Sequence, residues 1–302
     1  MARSATSHGV PGRRWRLILS VLGRLPNVSM SRAFGRLADV RIPRYARPLV
    51  LGTFSRLVGA RPEEAEKPFD AYETLNAFFV RRLRHGLRTW PEDAAALSSP
   101  VDGIIGQLGR ISEGRLLQAK GHDYSVAELL AGAGDAASFV DGGYITIYLS
   151  PRHYHRIHTP AVGRIRRAVH VPGTLLPVNA AAVAHVPKLF VRNERVVCMI
   201  DTDRGSLALV AVGAYNVGRI STAFDPEWRP PPGVASGHVS RSRVPEARSY
   251  DPPLPVTVGE EVMAFHLGST VIVLFEPHGW TLRKDLVPGV EVRVGERLDS
   301  PA

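Results

Sequence analysis

The chain has 302 residues but only one cysteine, and no apolar run approaches the roughly 18 residues that a membrane-spanning helix needs. A single cysteine excludes a disulfide framework within the chain and a zinc finger built on cysteines. Because Cys198 lies in an apolar run, we expect it to be a buried structural thiol. The apolar stretch 17–22 is too short for a signal peptide, and no Ala-x-Ala cleavage site follows it.

Lysine and acidic residues are scarce at the beginning of the chain. Residues 1–61 contain twelve arginines, no lysine and a single acid, Asp39, so this part alone accounts for the formal net charge of +10. The remaining residues are close to neutral. A basic segment attached to a nearly neutral body is typical of proteins that meet nucleic acid or an anionic membrane surface.

Residues 15–25 predict an amphipathic helix that ends before Pro26. Its apolar face carries Trp15 and Leu22, and arginines lie on the opposite face. Tryptophan and arginine on such a helix are typical of an anchor that lies in the membrane surface. The alternative is a helix that packs on its own domain with its arginines in water. Nucleic acid is not favoured as a partner, because the aromatic side chain is not interleaved with the arginines.

Further helices are predicted up to about residue 90. A second basic and apolar stretch, residues 31–57, is interrupted by two prolines. Residues 61–66 have the pattern of a helix start with acids in the first turn, and residues 72–84 predict another helix. The inward face of this last helix is expected to consist of Leu75, Phe78 and Phe79.

The composition changes after residue 97 to short β-rich runs that are separated by Gly, Pro and Asp turns. Residues 144–149 predict a strand, and residues 195–201 and 206–212 predict a hairpin. Residues 225–255 are rich in Pro, Gly, Ser and Arg, and they predict a long surface loop.

Together these elements predict an α+β protein. A helical, basic, membrane-associating part is expected over residues 1–90, and a mostly antiparallel β body, sandwich-like or barrel-like, over residues 91–302. All the side chains that are candidates for chemistry lie in this second part, so we expect it to be the catalytic domain.

Three short motifs in the β body carry side chains that could act together. Asp102 lies in a Val-Asp-Gly turn, His158 follows a predicted strand, and Ser269 precedes an apolar strand. A carboxylate, an imidazole and a hydroxyl form the set that activates a serine. Ser269 lacks the Gly-x-Ser-x-Gly elbow of hydrolases, and the preceding Gly268 has a sterically open carbonyl. This arrangement suits attack by Ser269 on its own preceding peptide bond.

Other functions are compatible with the same residues. His153, His155 and His158 have an H-x-H-x-x-H spacing, which together with Asp102 could supply the ligands of a metal-dependent hydrolase. An intact serine hydrolase would use Ser269, His158 and Asp102 on an external ester. A non-enzymatic basic module would bind nucleic acid or a membrane, but it leaves the motifs of the β body unexplained.

The motifs resemble, in type and order, those of the bacterial phosphatidylserine decarboxylases, which make their own pyruvoyl cofactor. The Leu-Gly-Ser-Thr sequence at 267–270 is similar to the self-cleavage site of that family, and Asp102 and His158 match its other two functional positions. Three further motifs extend the resemblance over most of the chain: Asn-Ala-Phe-Phe-Val-Arg at 76–81, Gln-Ala-Lys-Gly-His-Asp-Tyr-Ser at 118–125, and Val-Arg-Asn-Glu-Arg at 191–195.

The resemblance implies a proenzyme that cleaves itself between Gly268 and Ser269. Its products would be a β chain of residues 1–268 and an α chain of residues 269–302. Ser269 would become the pyruvoyl group, which forms a Schiff base with the amine of phosphatidylserine. Loss of CO2 would then yield phosphatidylethanolamine.

The resemblance also implies roles for individual side chains and for partners. His158, oriented by Asp102, would take the proton of the Ser269 hydroxyl, and His155 would help to recognise the substrate or to handle protons afterwards. The implied partners are phosphatidylserine in an anionic membrane surface and the enzyme's own α and β chains, as a heterodimer that can dimerise further. Neither a metal nor nucleic acid is implied, and the expected location is peripheral, on the cytoplasmic side of the cell membrane.

Overall fold

The computed structural model describes residues 35–214, 220–225, 228, 244–266 and 269–301. The amphipathic helix predicted over residues 15–25 lies outside these ranges, and so do Leu267 and Gly268 of the predicted cleavage site. Within the described ranges, no helix has both the length and the apolar character needed to cross a membrane.

The beginning of the described chain is helical, as predicted. The longest helix, α1 (Arg47–Val58), has a proline in its first turn and ends at Gly59, which adopts a left-handed conformation with φ of 73°. Its second α-helix, α2 (Leu75–Phe79), is N-capped by Thr74, whose hydroxyl accepts a hydrogen bond from Ala77 N. Residues 35–38 are helical as well, and three 3₁₀ turns are described in this part: Arg44–Ala46, Pro62–Glu64 and Phe69–Ala71.

Two helix predictions in this region are wrong in extent. Helix α2 ends at Phe79, not at residue 84, and the helix start predicted at 61–66 is only the 3₁₀ turn Pro62–Glu64. The two segments that were expected to continue as helices pair with each other instead, through an isolated antiparallel bridge between Ala65 and Leu83. Glu66 N donates to the carbonyl of Arg82, so a long-range contact overrides the local helical pattern.

The β body begins at residue 103 and contains thirteen described strands with three short helices between them. The helices are α3 (Val126–Leu130), α4 (Ala180–His185) and α5 (Leu189–Arg192), with a 3₁₀ turn at Ala137–Phe139. The strands are β1 (Gly103–Arg110), β2 (Arg115–Ala119), β3 (His122–Ser125), β4 (Gly143–Leu149), β5 (Arg156–His158), β6 (Gly163–Val171), β7 (Arg195–Thr202), β8 (Gly205–Val212), β9 (Ile220–Thr222), β10 (Glu246–Val256), β11 (Glu261–Phe265), β12 (Ser269–Phe275) and β13 (Glu291–Val292).

The strands form sheets in which all the described pairings are antiparallel. The main sheet has eight strands in the order β10-β6-β7-β8-β12-β4-β1-β13, and a second sheet has the order β5-β11-β9. A small ribbon pairs β2 with β3. The α+β class with an antiparallel body is therefore confirmed. The main sheet keeps two edges, at β10 and β13, so it is not a closed barrel.

The predictions of a strand at residues 144–149 and of a hairpin at residues 195–212 are confirmed. Strand β4 covers the predicted run 144–149, and β7 and β8 form the predicted hairpin, with Thr202 paired to Gly205. Cys198 lies on β7 and is fully buried, which confirms the structural thiol.

The surface loop predicted over residues 225–255 is wrong in its second half, because residues 246–256 form strand β10. Among the described strands, it pairs with β6 alone, at the edge of the main sheet. The register shifts between Ser249 and Leu254, where Pro252 and Pro253 cannot donate to the ladder. An edge strand with an irregularity is the place where a sheet tolerates proline.

Strand β12 lies inside the main sheet, between β8 and β4, and all seven of its residues are buried. This burial explains its continuous apolar sequence, since both faces of the strand are covered. The main hydrophobic core surrounds β12 and also takes in Phe79 from α2. A smaller cluster, consisting of Leu51, Ala65, Tyr72 and Phe78, stabilises the helical part.

Candidate active site

Ser269 is the first residue of β12 and lies opposite Leu149 at the end of β4. Its side chain is fully buried, and within the described part of the chain its hydroxyl oxygen has no hydrogen-bond partner. A buried hydroxyl without a partner costs free energy, so such groups are uncommon outside functional sites. The hydroxyl is thus kept away from solvent and is not committed to any side chain that the structure describes.

Both sides of the predicted cleavage point lie against one connection, the segment between β4 and β5. On one side, Phe265 N donates to the carbonyl of His155 over 2.9 Å. On the other side, Ser269 pairs with Leu149. The connection itself turns tightly, because His153 N donates to the carbonyl of Ser150 over 3.0 Å. The topology therefore brings Phe265 and Ser269, the described residues near the predicted cleavage point, next to β4 and the histidine motif that follows it.

His155 is fully buried in this connection, and its ring lies 4.0 Å, centroid to centroid, from the ring of Phe79. Its Nδ1 donates to the carbonyl of His153 over 2.8 Å, since a carbonyl can only accept. Burial, reinforced by the nearby charge of Arg81, holds the pKa of His155 well below its ordinary value. The ring is therefore neutral, and its Nε2 carries a lone pair that has no partner among the described residues.

His158 is held in a defined tautomer at the end of β5. Its Nδ1 donates to the carbonyl of Gly259 over 2.7 Å, which leaves the lone pair on Nε2. The hydroxyl of Tyr154 lies 3.1 Å from Nε2 and donates to it, and the rings of Tyr154 and Trp90 both pack against the imidazole. Burial lowers the pKa of His158, so the neutral, basic form is favoured at neutral pH.

Asp102 lies near His158 but does not hold it. The two described hydrogen-bond partners of the His158 ring are Gly259 and Tyr154, so a backbone carbonyl occupies the position that was predicted for the carboxylate. Asp102 instead accepts hydrogen bonds from Arg88 Nε over 3.1 Å and from Val294 N over 2.8 Å. Its negative charge acts on the pKa of His158 through space, as a minor upward influence that burial outweighs.

Arg88 was missed by reasoning from the sequence. Its guanidinium bridges Asp102 and Glu64, with Nη2 2.8 Å from Glu64 Oε2, and all three side chains are largely buried. Burial opposes the charge of Arg88, but the hydrogen bonds and charges of Asp102 and Glu64 outweigh it and raise its pKa. No local pattern distinguishes Arg88 from the other arginines, because Glu64 is 24 residues away along the chain.

Gly259 and Trp90 were also missed. Gly259 has φ of 81°, and a Cβ at this position would lie 2.4 Å from Cε2 of Trp90. Glycine is therefore required both by the backbone conformation and by the ring that packs on it. The turn before β11 is recognisable in the sequence, but its contact with His158, 101 residues away, is not.

The residue three positions before Ser269 is held by two segments. His266 Nδ1 lies 3.1 Å from Asn76 Oδ1, and its Nε2 lies 3.1 Å from the hydroxyl of Ser221 on β9. Asn76 Nδ2 donates in turn to Asp39 over 2.7 Å. A hydrogen-bonded chain thus connects the helical part to the approach to the cleavage site.

The three histidines do not converge on one point. His153 Nδ1 accepts from Ser150 N over 3.0 Å and its Nε2 faces Arg152 and Glu291, while His155 and His158 use the partners described above. Among the residues that the structure describes, no group of three or more His, Cys, Asp or Glu side chains is arranged to hold a metal ion. The geometry therefore gives no support to the metal-dependent hydrolase.

Comparison with known proteins shows the family of this chain. The family model of phosphatidylserine decarboxylase matches residues 75–299. The phosphatidylserine decarboxylase proenzyme of Anaeromyxobacter sp. (strain K) is 44% identical over 289 residues, covering 95% of this chain and 99% of that protein. The proenzyme of the same name from Azotobacter vinelandii is 43% identical, with coverage of 93% and 97%. That of Pseudomonas aeruginosa (strain LESB58) is also 43% identical, with coverage of 92% and 94%.

These similarities identify the chain as an enzyme of the decarboxylase class, with relatives that are made as proenzymes. It belongs to the phosphatidylserine decarboxylase family. The matched region contains Asp102, His155, His158 and Ser269, so the candidate site lies wholly within the part that defines the family.

Proposed function

We propose that this chain is a phosphatidylserine decarboxylase proenzyme that cleaves itself between Gly268 and Ser269 and then converts phosphatidylserine to phosphatidylethanolamine and CO2. The observation that carries the proposal is the buried hydroxyl of Ser269, which has no hydrogen-bond partner among the described residues. Ser269 pairs with the last residue of β4, and the segment that follows β4 carries two neutral imidazoles, His155 and His158. The products are a β chain of residues 1–268 and an α chain of residues 269–302, which stay together as a heterodimer.

The first step is an acyl shift within the chain. His158 takes the proton of the Ser269 hydroxyl, and the oxygen attacks the Gly268 carbonyl, so that a C–O bond forms. His158 then returns the proton to the nitrogen of residue 269 as the C–N bond breaks. Removal of the proton on Cα of residue 269 then expels the ester oxygen, which leaves a carboxylate on Gly268 and a dehydroalanine at 269. Tautomerisation and attack by water release ammonia and leave a pyruvoyl group.

His158 suits the role of base because its Nδ1 is fixed as a donor to Gly259 and its Nε2 is therefore the basic atom. Ser269 must replace the Tyr154 hydroxyl at Nε2 for the proton to move, and catalytic hydrogen bonds commonly tighten only during reaction. Asp102, anchored by Arg88, supports the positive charge that develops on the imidazole by its field and not by direct contact.

The pyruvoyl group fits the start of β12. Residue 269 is buried where β12 meets β4, in a place that water reaches poorly. When formed, the group supplies a ketone that binds the serine amine of the headgroup and accepts the electrons released with CO2. His155 has a neutral ring, and its Nε2 has no partner among the described residues, so it is suited to hold or return a proton at the carbon that loses the carboxylate.

The helical part suits a peripheral protein that works at an anionic membrane surface. Large apolar side chains are exposed along it, and Leu49 and Leu57 on α1 are 72% and 81% exposed. Arginines accompany these apolar side chains, among them Arg44, Arg47 and Arg56. Apolar groups that can enter the interface and cations that meet anionic headgroups favour a membrane over nucleic acid as the partner. We assign residues 1–90 to this association, on the cytoplasmic side of the cell membrane, and residues 91–302 to catalysis.

The test is an intact mass spectrum of the purified protein beside three variants, Ser269→Ala, His158→Ala and His155→Ala. We expect wild type to split between Gly268 and Ser269, with a small fragment that lacks a free amino terminus. Ser269→Ala and His158→Ala should stay whole. His155→Ala should split as wild type does and lose the release of CO2 from phosphatidylserine.

A single full-length mass for wild type would contradict the proposal and favour an intact serine hydrolase, which uses the same side chains without cleavage. An uncleaved His155→Ala protein would instead contradict the division of roles between the two histidines. Circular dichroism of each variant separates these outcomes from misfolding.

A further inference from the structure

A pocket of about 390 Å³ opens between the helical part and the three-stranded sheet. Arg82 follows α2, while Arg156, Ala264 and Ser221 form one row across β5, β11 and β9. The pocket is open to solvent on one side. It is therefore a recess in the surface and not a packing defect in the core.

Two observations indicate that the pocket lies near the reaction centre. His266 lines it, and three residues of extended chain span at most roughly 11 Å, so Ser269 cannot be farther than that from His266. His158 lies two residues beyond Arg156 on β5 and therefore on the same face of that strand. The candidate base and Ser269 are thus each within three residues of a side chain that lines the pocket.

The two arginines give the pocket donors for an anion. The Arg156 guanidinium is fixed by its hydrogen bonds to the carbonyl of Val80, over 2.8 Å, and to Glu261. Arg82 is 3.5 Å from the other oxygen of Glu261, and its side chain is 61% exposed. A guanidinium has five N–H donors, so each can take a second acceptor beside Glu261. Arginine is also the side chain whose fork matches the oxygens of a phosphate.

We propose that this pocket binds the phosphodiester of the lipid headgroup, with Arg82 as the principal contact and Arg156 as the fixed second one. The inference rests on the proposed function and names the headgroup site for it. In phosphatidylserine only a few bonds separate the phosphorus from the amine. Holding the phosphate here therefore delivers the amine toward residue 269, while the acyl chains leave by the open side of the pocket.

The test uses the full chain after self-cleavage and three variants, Arg82→Ala, Arg82→Lys and Arg110→Ala. Arg110 is the matched control, because it is similarly exposed and pairs with an acid, Asp141, but lies on β1 outside the pocket. The readouts are the cleaved fraction by mass, kcat and KM with a soluble short-chain phosphatidylserine, and calorimetric binding of glycerophosphoserine and, separately, of inorganic phosphate.

We expect Arg82→Ala to cleave fully and to keep kcat within about twofold, with KM raised about tenfold and glycerophosphoserine binding weakened about tenfold. The KM and the glycerophosphoserine affinity of Arg82→Lys should lie between those of wild type and Arg82→Ala, because lysine keeps the positive charge but lacks the forked guanidinium. Arg110→Ala should match wild type. If Arg82→Ala fails to fold, Arg82→Lys becomes the variant that tests the inference. The inference then requires the KM of Arg82→Lys to be at least threefold above that of wild type.

A KM and a glycerophosphoserine affinity within twofold of wild type in Arg82→Ala would overturn the inference. Inorganic phosphate that binds as tightly as glycerophosphoserine would also overturn it, because the pocket would then be a site for free anions. Failure of the proposed function has a different signature: wild type releases no CO2 from phosphatidylserine, whatever the variants bind.

Discussion

At the scale of single residues, the candidate base is positioned by backbone and aromatic groups. The His158 ring donates to the carbonyl of Gly259 and packs between Tyr154 and Trp90. A backbone carbonyl fixes the tautomer of His158 just as effectively as a carboxylate would. Because the carbonyl carries no full charge, burial still lowers the pKa of His158. The ring thus remains a neutral base that is ready to accept a proton.

The most sensitive position in this arrangement is Gly259. We expect Gly259→Ala to destabilise the fold by about 1–2 kcal/mol from its positive φ, plus about 1–3 kcal/mol from the overlap with Trp90. Self-cleavage should slow as well, because the carbonyl that holds His158 must shift. The measurements are thermal unfolding and the time course of cleavage by mass.

Gly289→Ala is the control for this prediction. Gly289 also has a positive φ, of 95°, but a Cβ there meets no atom within 4 Å. It should therefore show only the backbone cost and cleave at the wild-type rate. Equal effects of the two substitutions would mean that the contact with Trp90 is unimportant.

At the scale of elements, the site residues lie at the ends of strands and in the turns that connect them. His155 and His158 follow the turn after β4, Gly259 lies in the turn before β11, and Ser269 begins β12. Such positions place side chains next to one another from distant parts of the chain. The largely buried charges near the site are paired with one another in the cluster of Glu64, Arg88 and Asp102. This cluster connects the helical part to the β body.

Removing the central cation of that cluster should be costly. We expect Arg88→Met to lower the free energy of unfolding by about 3–5 kcal/mol, because two largely buried carboxylates lose their common partner. Chemical denaturation of the uncleaved Ser269→Ala background measures this loss without interference from processing.

Arg115→Met in the same background is the matched control. Arg115 also contacts a carboxylate with two nitrogens, that of Asp123, but both side chains are well exposed to solvent. Water screens this pair, so the free energy of unfolding should stay close to that of the background protein. If Arg88→Met were equally mild, the cluster would not be a stabilising connection.

At the scale of the whole molecule, charge and exposed apolar surface are concentrated at one end of the sequence. The helical part carries the net positive charge and, among the described residues, most of the large exposed apolar side chains, whereas the body carries the buried strands and the site. The pocket that lies between them is lined from both parts. This distribution suits an enzyme that takes a headgroup from a surface while its reacting groups remain in a dry interior.

Membrane association should depend on the helical part alone. We expect two variants, a deletion of residues 1–30 and the double substitution Leu49→Glu/Leu57→Glu, to sediment less with anionic liposomes while they still cleave. Exposed leucines can enter the interface, and carboxylates in their place are repelled by anionic lipids. Leu117→Glu, on β2 and 45% exposed, is the control that should bind as wild type does. Unchanged sedimentation of both variants would refute the assignment of residues 1–90.

The strands could be predicted because their signals are local. The continuous apolar run after Ser269 predicts a strand, which the structure confirms as β12, and the Gly-Ser step before it remains a prediction of the cleavage point. Alternation and turn residues likewise locate β4 and the β7–β8 hairpin. The predictions of secondary structure failed where contacts between distant segments override the local pattern. The bridge between Ala65 and Leu83, for example, stands where a helix was predicted.

By itself, the sequence determined the α+β class, the basic beginning of the chain and the family, and it predicted Asp102, His155, His158 and Ser269 as the site residues. Only the tertiary structure decided which groups these side chains contact. Gly259 meets His158 across 101 residues, and Val294 meets Asp102 across 192, so neither contact leaves a periodic or neighbouring trace in the sequence. Such contacts depend on how strands pair and loops close over the whole chain, and this is information that no local pattern carries.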